Sequence, residues 1–319
     1  MSKLKPIIKT IDLFAGIGGI RIGFEREGFK TVFANDFDEY CKVTYDGYFK
    51  DVPLTVRDIK EVKVEDLPEF DVLLGGFPCQ AFSIAGYRQG FQDTKGRGDL
   101  FFYVANIIEK RQPKAFLLEN VKNLVSHDKG KTFMIIMKTL TDLGYKVDHR
   151  VLNTYEYGKL PQNRERTYIV GFKDWEHFEK FKFPIRTKLK LTVKDLLDDS
   201  VDEKYYYNGK PLYERIKDDI VSENTVYQWR RQYVRENKKN LCPTLTANMG
   251  TGGHNVPIVK VKDGIRKLTP RECLRLQGFP EDYPLPDLAD SKIYKQVGNS
   301  VSIPVIQRIA KAMMTALNS

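Results

Sequence analysis

Short apolar segments alternate with longer amphipathic ones through the first half of the chain, and this alternation constrains the fold more than any other feature. The strand candidates are Ile7–Phe14, Thr31–Ala34, Val72–Leu74, Ala115–Leu118, Lys146–Leu152 and Tyr168–Phe172. The helix candidates are Ile20–Glu27, Glu39–Tyr48, Leu100–Lys110 and Thr132–Leu143. Such alternation predicts an α/β fold with a mainly parallel, doubly wound sheet.

The composition changes after about residue 185. Residues 186–266 are rich in Lys, Tyr, Asn and Asp, and they contain fewer periodic elements. We therefore predict a second, smaller and less regular domain. Near the end of the chain, Val305–Leu317 has the pattern of an amphipathic helix that follows Pro304.

The formal net charge of +10 favours a polyanionic partner. The four cysteines and four histidines are scattered, without the spacing of a zinc site or a disulfide framework. This distribution predicts no bound metal and a reducing compartment. The sequence shows neither the apolar core of a signal peptide nor an apolar run long enough for a membrane span. We expect a cytoplasmic protein with no membrane partner.

A glycine-bearing turn, Asp12–Gly19, follows the first strand and opens the first helix. Glycines at such a turn let a ligand approach the backbone closely. The pattern is not the dinucleotide fingerprint, because the expected third small residue falls at Arg21. Asp36 ends the second strand, where a carboxylate suits two ribose hydroxyls, and Asp58 is a further acidic candidate. The combination favours a nucleoside without a pyrophosphate, such as S-adenosylmethionine, over NAD.

A second group of residues has the composition of a catalytic centre. Cys79 lies in Gly75–Gln80, just after a predicted strand, and Glu119 ends another buried strand. Arg164 and Arg166 are two residues apart, so an extended backbone puts them on one face. A thiol needs a positive environment to become a thiolate, and arginine supplies one without titrating. Each of these residues alone also has a structural explanation.

Taken together, these motifs resemble the bacterial DNA (cytosine-5)-methyltransferases of restriction–modification systems. The matching blocks follow that family's order and cover nearly the whole chain. They are Asp12–Gly19, Asp36, Asp58, Gly75–Ser83, Glu119–Val121, Gln162–Arg166, Leu268–Glu272 with Arg275–Phe279, and Gly298–Val301. The resemblance implies the doubly wound mixed sheet of S-adenosylmethionine-dependent methyltransferases, with a smaller irregular target-recognition domain.

The resemblance also implies a catalytic role for each of four residues. Cys79 attacks C6 of cytosine, and Glu119 holds the ring at N3 and the exocyclic amine. Arg166 helps to fix the base and the carboxylate, and Arg164 supports the site. The methyl group then joins C5, the C5 proton is lost and Cys79 is expelled.

The cofactor implied by the resemblance is S-adenosylmethionine, which leaves as S-adenosylhomocysteine. Phe14 and Phe37 would flank the adenine, with Phe37 standing where the family often has tryptophan. Asp36 would bind the ribose and Asp58 the adenine amine. The other residues implied at this site are Ala15, Gly16, Gly18, Gly19, Ile59, Gly76, Pro78, Leu100, Asn299, Ser300 and Val301.

The substrate implied is duplex DNA, from which the target cytosine must be flipped out. We predict that the long irregular stretch 80–99 closes over the flipped base. The basic stretch 228–239, with interleaved aromatic residues, is predicted to lie against phosphates or a groove. The predicted DNA contacts are Gln80, Ser83, Arg97, Arg230, Arg231, Arg235, Thr244 and Thr246.

Domain boundaries and biological context follow from the same resemblance. Residues 1–186, completed by 292–319, would form the catalytic and cofactor-binding domain, and 187–291 the target-recognition domain and hinge. We expect a monomer that is associated with the bacterial nucleoid when it is bound to DNA. A cognate restriction endonuclease that acts separately is a potential partner. The stretch 227–255 is faintly similar to enzymes that methylate short GC-rich palindromes such as GCNGC.

Three other functions agree less well with the sequence. An RNA cytosine-5 methyltransferase would share the fold, but the Cys-Phe-Thr triplet of the transfer-RNA branch is missing from the sequence. A catalytically inactive DNA-binding module would not need Cys79, Glu119 and Arg166 together. An NAD oxidoreductase disagrees with the glycine pattern and with the basic second domain.

Overall fold

The computed structural model describes residues 6–78, 100–237, 239–251 and 255–319. Its backbone contacts separate the chain into two compact units. The first unit comprises residues 1–152, 165–184 and 306–319, and the second comprises 153–164 and 185–305. The predicted division into a catalytic domain (1–186 with 292–319) and a target-recognition domain (187–291) is defined by function, and it stays a prediction.

Thirteen strands are assigned in the described part of the chain. They are β1 (Lys9–Leu13), β2 (Lys30–Asp36), β3 (Thr55–Val56), β4 (Val72–Gly75), β5 (Ala115–Val121), β6 (Lys146–Asn153), β7 (Gln162–Asn163), β8 (Glu165–Phe172), β9 (Tyr227–Trp229), β10 (Val234–Glu236), β11 (Cys242–Pro243), β12 (Ile258–Val261) and β13 (Gly264–Lys267).

The α-helices of the described residues are also numbered along the chain. They are α1 (Gly19–Glu25), α2 (Glu39–Tyr48), α3 (Leu100–Arg111), α4 (Lys131–Asp142), α5 (Thr154–Tyr157), α6 (Trp175–Lys180), α7 (Tyr213–Ile216), α8 (Pro270–Gln277), α9 (Asp290–Asn299) and α10 (Ile303–Leu317). None of the helices in the described ranges is long and apolar enough to cross a membrane.

The first unit is built on a seven-stranded sheet with the order β3-β2-β1-β4-β5-β8-β6. Strand β1 pairs in parallel with β2 and β4, and β5 pairs in parallel with β4. Strand β8 runs antiparallel to β5, so the sheet is mixed. The predicted α/β class with a doubly wound mixed sheet is thereby confirmed. Central strands read as continuous apolar runs because helices cover both faces of such a sheet.

Helices α3 and α4 pack their apolar faces on this sheet. The helical stripe predicted from the sequence is present, since Phe133, Ile136 and Leu140 of α4 are buried in the same core as Phe116 of β5. Strands β4 and β5 bury Leu73, Leu74, Leu117 and Leu118 completely. This packing fixes the carboxyl ends of the central strands, where the predicted site residues lie.

The second unit is the smaller of the two, and most of its strands and helices are short. A four-stranded antiparallel sheet has the order β10-β9-β12-β13, and its residues Tyr227, Trp229 and Ile258 belong to a small hydrophobic core. Helix α8 was not predicted, although the sequence signals its start. Thr269 and Glu272 form a reciprocal capping box, with Pro270 in the first turn. Glu272 is fully buried, where two hydrogen bonds from Arg266 satisfy its charge.

Candidate active site

The turn between β1 and α1 adopts an unusual backbone conformation. Phe14, Gly16 and Gly18 have φ values of 56°, 54° and 80°. A side chain at Gly18 would collide with the ring of Phe49, whereas the position of a Cβ on Gly16 is open. The Gly16 amide donates to Oδ2 of Asp36 over 2.9 Å. The turn therefore exposes backbone beside a carboxylate, as a ligand cradle requires.

Asp36 lies at the carboxyl end of β2 and is largely buried. Its Oδ1 accepts from the Asp38 amide over 2.9 Å, which complements the bond from Gly16 to Oδ2. Burial raises the pKa of Asp36, although these amide donors oppose the shift. The neighbouring Phe37 leaves 69% of its surface exposed. An acceptor and an exposed aromatic ring thus stand side by side.

Strand β3 brings Asp58 to the same edge of the sheet. The Asn35 side chain donates to the carbonyls of Thr55 and Arg57, over 3.1 and 2.8 Å, and holds this segment beside β2. Asp58 itself is exposed, and its Oδ1 accepts from the Lys60 amide. It caps the short 3₁₀ helix Ile59–Glu61, in which Ile59 is buried.

Arg21 stands where a dinucleotide fingerprint would have a small residue. Its guanidinium is buried, with bonds to the Tyr45 hydroxyl (3.0 Å), the Val52 carbonyl (3.0 Å) and the carboxylates of Glu25 and Asp51 (2.8 and 2.6 Å). It also stacks on the Phe49 ring. In dinucleotide-binding folds, a small residue at this position lets the helix pack closely against a strand. Here the Arg21 side chain takes up that space. The structure gives a physical reason for the departure noted in the sequence.

These residues fit a nucleoside better than a metal or a dinucleotide. They offer carboxylates to hydroxyl and amine donors, an exposed ring for stacking, and open space at Gly16. No group of His, Cys, Asp or Glu within the described ranges could hold a metal ion.

The buried Glu119 forms an ion pair with the partly buried Arg166 at the end of β5. Oε1 of Glu119 lies 3.1 Å from Nε of Arg166, and the two side chains are 10% and 14% exposed. The pairing of β5 with β8 produces this contact, since Val121 is opposite Arg166 in the register. A Cβ on Gly76 would lie 3.7 Å from Oε2 of Glu119. The carboxylate therefore lies beside the backbone that leads to Cys79.

Asn120, for which the sequence predicts no separate role, holds that backbone in place. Its Nδ2 donates to the Phe77 carbonyl over 2.9 Å, and the Phe77 ring is buried against Phe101. Pro78 follows and is exposed. The predicted nucleophile Cys79 lies outside the described residues, as do Gln80, Ser83 and Arg97. Leu100 is the first residue of α3.

The remaining predicted residues belong to the second unit. Arg164 is 2% exposed and donates to the backbone carbonyls of Leu245, Gly298 and Ser300. Ser300 and Val301 are buried, while Asn299 and Thr246 are exposed. The Thr244 hydroxyl donates to the Asn163 carbonyl over 2.7 Å.

The predicted arginines of the basic stretch lie on the hairpin formed by β9 and β10. Arg230, Arg231 and Arg235 are all exposed. The Arg230 amide donates to the Tyr233 carbonyl and closes the turn, in which Arg231 has a φ of 68°. The buried Tyr227 and Trp229 hold the stem in the small core.

Comparison with known proteins agrees with this arrangement. The model of the family described as C-5 cytosine-specific DNA methylase matches residues 8–315. The chain is 54% identical over 310 residues to the Type II methyltransferase M.Bsp6I of Bacillus sp. (strain RFL6), covering 96% of this chain and 98% of that protein. It is 45% identical over 312 residues to M.HaeII of Haemophilus aegyptius, covering 97% and 94%.

Solved structures with low sequence identity share the fold. A triple mutant of Spodoptera frugiperda DNMT2 superposes with a TM-score of 0.74 at 19% identity, covering 96% of this chain and 99% of that one. The Dnmt2 methyltransferase of S. pombe gives 0.74 at 17% identity, covering 98% and 100%.

Proposed function

This chain belongs to the C-5 cytosine-specific DNA methylase family, and from that premise we propose how it acts as a DNA (cytosine-5-)-methyltransferase. The methyl group passes from S-adenosylmethionine to C5 of a cytosine flipped out of duplex DNA, within a short specific sequence. The observation that carries this proposal is the ion pair of the buried Glu119 with Arg166, beside Gly76. A carboxylate held in this way can meet the polar edge of a cytosine ring.

The proposed route is covalent and depends on Cys79. Its thiolate adds to C6, which turns the unreactive C5 into an enamine carbon. S-adenosylmethionine, when bound, supplies an electrophilic methyl group. The methyl group would join C5 as its bond to the cofactor sulfur breaks. The C5 proton then leaves, and the bond between C6 and the Cys79 sulfur breaks to regenerate the thiolate. The products are 5-methylcytosine, S-adenosylhomocysteine and a proton.

Glu119 acts on the base and Arg166 acts on Glu119. The carboxyl group of Glu119 holds N3 and the exocyclic amine, where charge builds when the thiolate adds. The planar guanidinium of Arg166 keeps the carboxylate oriented through their ion pair. The 3.1 Å pair supports this division of roles.

The cofactor is proposed to lie along the carboxyl ends of β1, β2 and β3. Asp36 would accept from the ribose hydroxyls and Asp58 from the adenine amine, with Phe14 and Phe37 on either side of the ring. The exposed Phe37 and the open position at Gly16 support this assignment. Asn299 and Ser300 are also proposed to take part in cofactor binding.

We place the enzyme in a restriction–modification system, where it would protect host DNA from a separate endonuclease. Support comes from the Type II methyltransferases to which it is similar over nearly their whole length. The exposed arginines of the β9–β10 hairpin, with Thr244 and Thr246, are proposed to contact DNA.

Transfer of labelled methyl groups to unmethylated genomic DNA, read by bisulfite sequencing, tests the function. We expect incorporation at one short motif, and loss of nearly all incorporation in Cys79→Ser while S-adenosylhomocysteine still binds. Full activity of Cys79→Ser would remove this residue as the nucleophile. No incorporation by the wild-type enzyme, with cofactor bound, would overturn the proposed substrate.

A further inference from the structure

Arg164 links two segments that are far apart in sequence. Its buried guanidinium donates to the Leu245 carbonyl over 2.7 Å, to the Gly298 carbonyl over 3.2 Å and to the Ser300 carbonyl. Leu245 is the centre of the Thr244–Thr246 segment, and the other two acceptors bound the Gly298–Ser300 segment. One rigid group of donors therefore serves both segments.

A second connection runs through two fully buried glutamines. Oε1 of Gln162 accepts from the Leu245 amide over 3.4 Å, and its Nε2 lies 3.3 Å from Oε1 of Gln277. The Gln277 amide then donates to the Val297 carbonyl over 3.1 Å. The chain Leu245–Gln162–Gln277–Val297 ends one residue before Gly298, parallel to the bridge through Arg164.

The two segments also touch directly, with no space to spare. A Cβ on Gly298 would collide with the backbone of Thr246 and Ala247. Neither segment can shift without straining this contact or leaving a donor of the buried Arg164 unpaired. Buried donors that lose their acceptor are strongly disfavoured.

We propose that Arg164 is a positioning residue that couples DNA binding at the Thr244–Thr246 segment to cofactor binding at the Gly298–Ser300 segment. This rests on the proposed function, which assigns those two segments to the two ligands. A ligand that orders one segment also orders the other through Arg164. Binding of the second ligand then costs less conformational entropy, because its segment is already ordered. The two bind cooperatively, and the effect is reciprocal.

Calorimetry with S-adenosylhomocysteine measures the coupling without turnover. Its Kd is determined alone and with a saturating duplex that carries the motif found by bisulfite sequencing. In the wild type we expect DNA to tighten the Kd by about 5-fold or more, within the usual range for allosteric coupling. In Arg164→Lys, which keeps the charge but cannot reach both segments, the ratio should fall below about 2-fold.

Arg266→Lys is the matched control. Arg266 is equally buried in the same unit, and it pairs with Glu272 over 2.7 and 2.9 Å. The ratio should stay at the wild-type value in this variant. An unchanged ratio in Arg164→Lys, or a ratio near 1 in the wild type, would overturn the coupling. Because methyl transfer by the wild type is measured separately, failure of the proposed function is distinguishable.

A measurement on the wild type alone guards against an Arg164 variant that does not fold. S-adenosylhomocysteine without DNA should slow hydrogen exchange at the amides of Leu245 and Met249 several-fold. Unchanged exchange there, under conditions in which the ligand saturates the protein, would contradict the coupling.

Discussion

At the scale of single residues, Asp12 shows how a buried carboxyl makes stability depend on pH. It lies inside β1 and is fully buried, which raises its pKa to about 8 even though the charge and backbone amide of Arg21 lower it. The unfolded chain has the ordinary value of about 3.9. The folded state therefore binds the extra proton between these values, and stability falls as pH rises from about 4 to about 8.

Asp12→Asn should remove this dependence, since asparagine has a similar shape and does not titrate. We expect the free energy of unfolding of the variant, minus that of the wild type, to increase by up to about 4 kcal/mol between pH 5 and pH 8. Urea unfolding at a series of pH values measures it. Because other groups titrate alike in both proteins, a difference that stays constant with pH would contradict the assignment.

Asp36→Ala tests the cofactor assignment. Loss of a charged acceptor for two hydroxyls should weaken binding of S-adenosylhomocysteine by about 1–3 kcal/mol. Calorimetry gives the value. Glu39→Ala, which removes an exposed carboxylate three residues away, is the control and should bind normally. Equal affinities for Asp36→Ala and the control would rule out a ribose contact.

The residues that the sequence singled out most readily were those at strand ends. Asp36 and Glu119 could be placed because a parallel sheet gathers the carboxyl ends of its strands at one edge. Asn120 was adjacent to Glu119 and still went unassigned, because its partner is a backbone carbonyl 43 residues away. The function of Arg21 was equally hidden, since burial and partners decide it.

At the scale of elements, the hydrogen bond from Asn120 joins the end of β5 to the segment after β4. Asn120→Ala should free the Phe77 carbonyl and misplace the segment that carries the nucleophile. We expect kcat to fall by about 10- to 100-fold, the usual result of small errors in position, with cofactor affinity unchanged. Single-turnover methylation assays measure the chemical step.

Asn123→Ala is the matched control for this variant, because Asn123 is exposed and lies in the 3₁₀ helix Lys122–Gly130, which follows β5. It should keep wild-type kinetics. A normal single-turnover rate in Asn120→Ala would show that the nucleophile segment is fixed by other contacts.

Elements rich in apolar residues were predicted well, and short polar elements were not. The α4 stripe was visible because its apolar positions repeat with helical spacing. Helices α8 and α9 are short and their mean composition is polar, so their period was missed. The capping box at Thr269 and Glu272 was the available signal. The β9–β10 hairpin was identified only as a basic stretch, because its strands have three residues each.

For the molecule as a whole, the sheet followed from the alternation of elements, but the grouping of one short segment with the second unit did not. Residues 153–164 lie between two segments of the first unit in the sequence and yet cluster with 185–305. Contacts such as that between Gln162 and Leu276 join positions 114 residues apart, which no local pattern reveals. The assignment to a family came from the order of motifs, which covers both units.

The net charge of +10 belongs to the whole chain, and DNA binding should depend on where that charge lies. Each phosphate contact contributes about 0.9 to the slope of log K against log salt. Replacing Arg230, Arg231 and Arg235 of the hairpin by glutamine should therefore reduce the magnitude of this negative slope by about 2 to 3. Binding of S-adenosylhomocysteine should stay unchanged. Fluorescence anisotropy with a labelled duplex at several salt concentrations measures the slope.

A control with the same loss of charge separates a specific surface from a general field. Replacing Lys210, Lys217 and Lys260 by glutamine removes three positive charges from the same unit. Charges that do not contact phosphates release no counterions, so this variant should keep the wild-type slope. If both variants reduce the magnitude of the slope equally, DNA binding depends on the overall charge and not on the arginines of the hairpin.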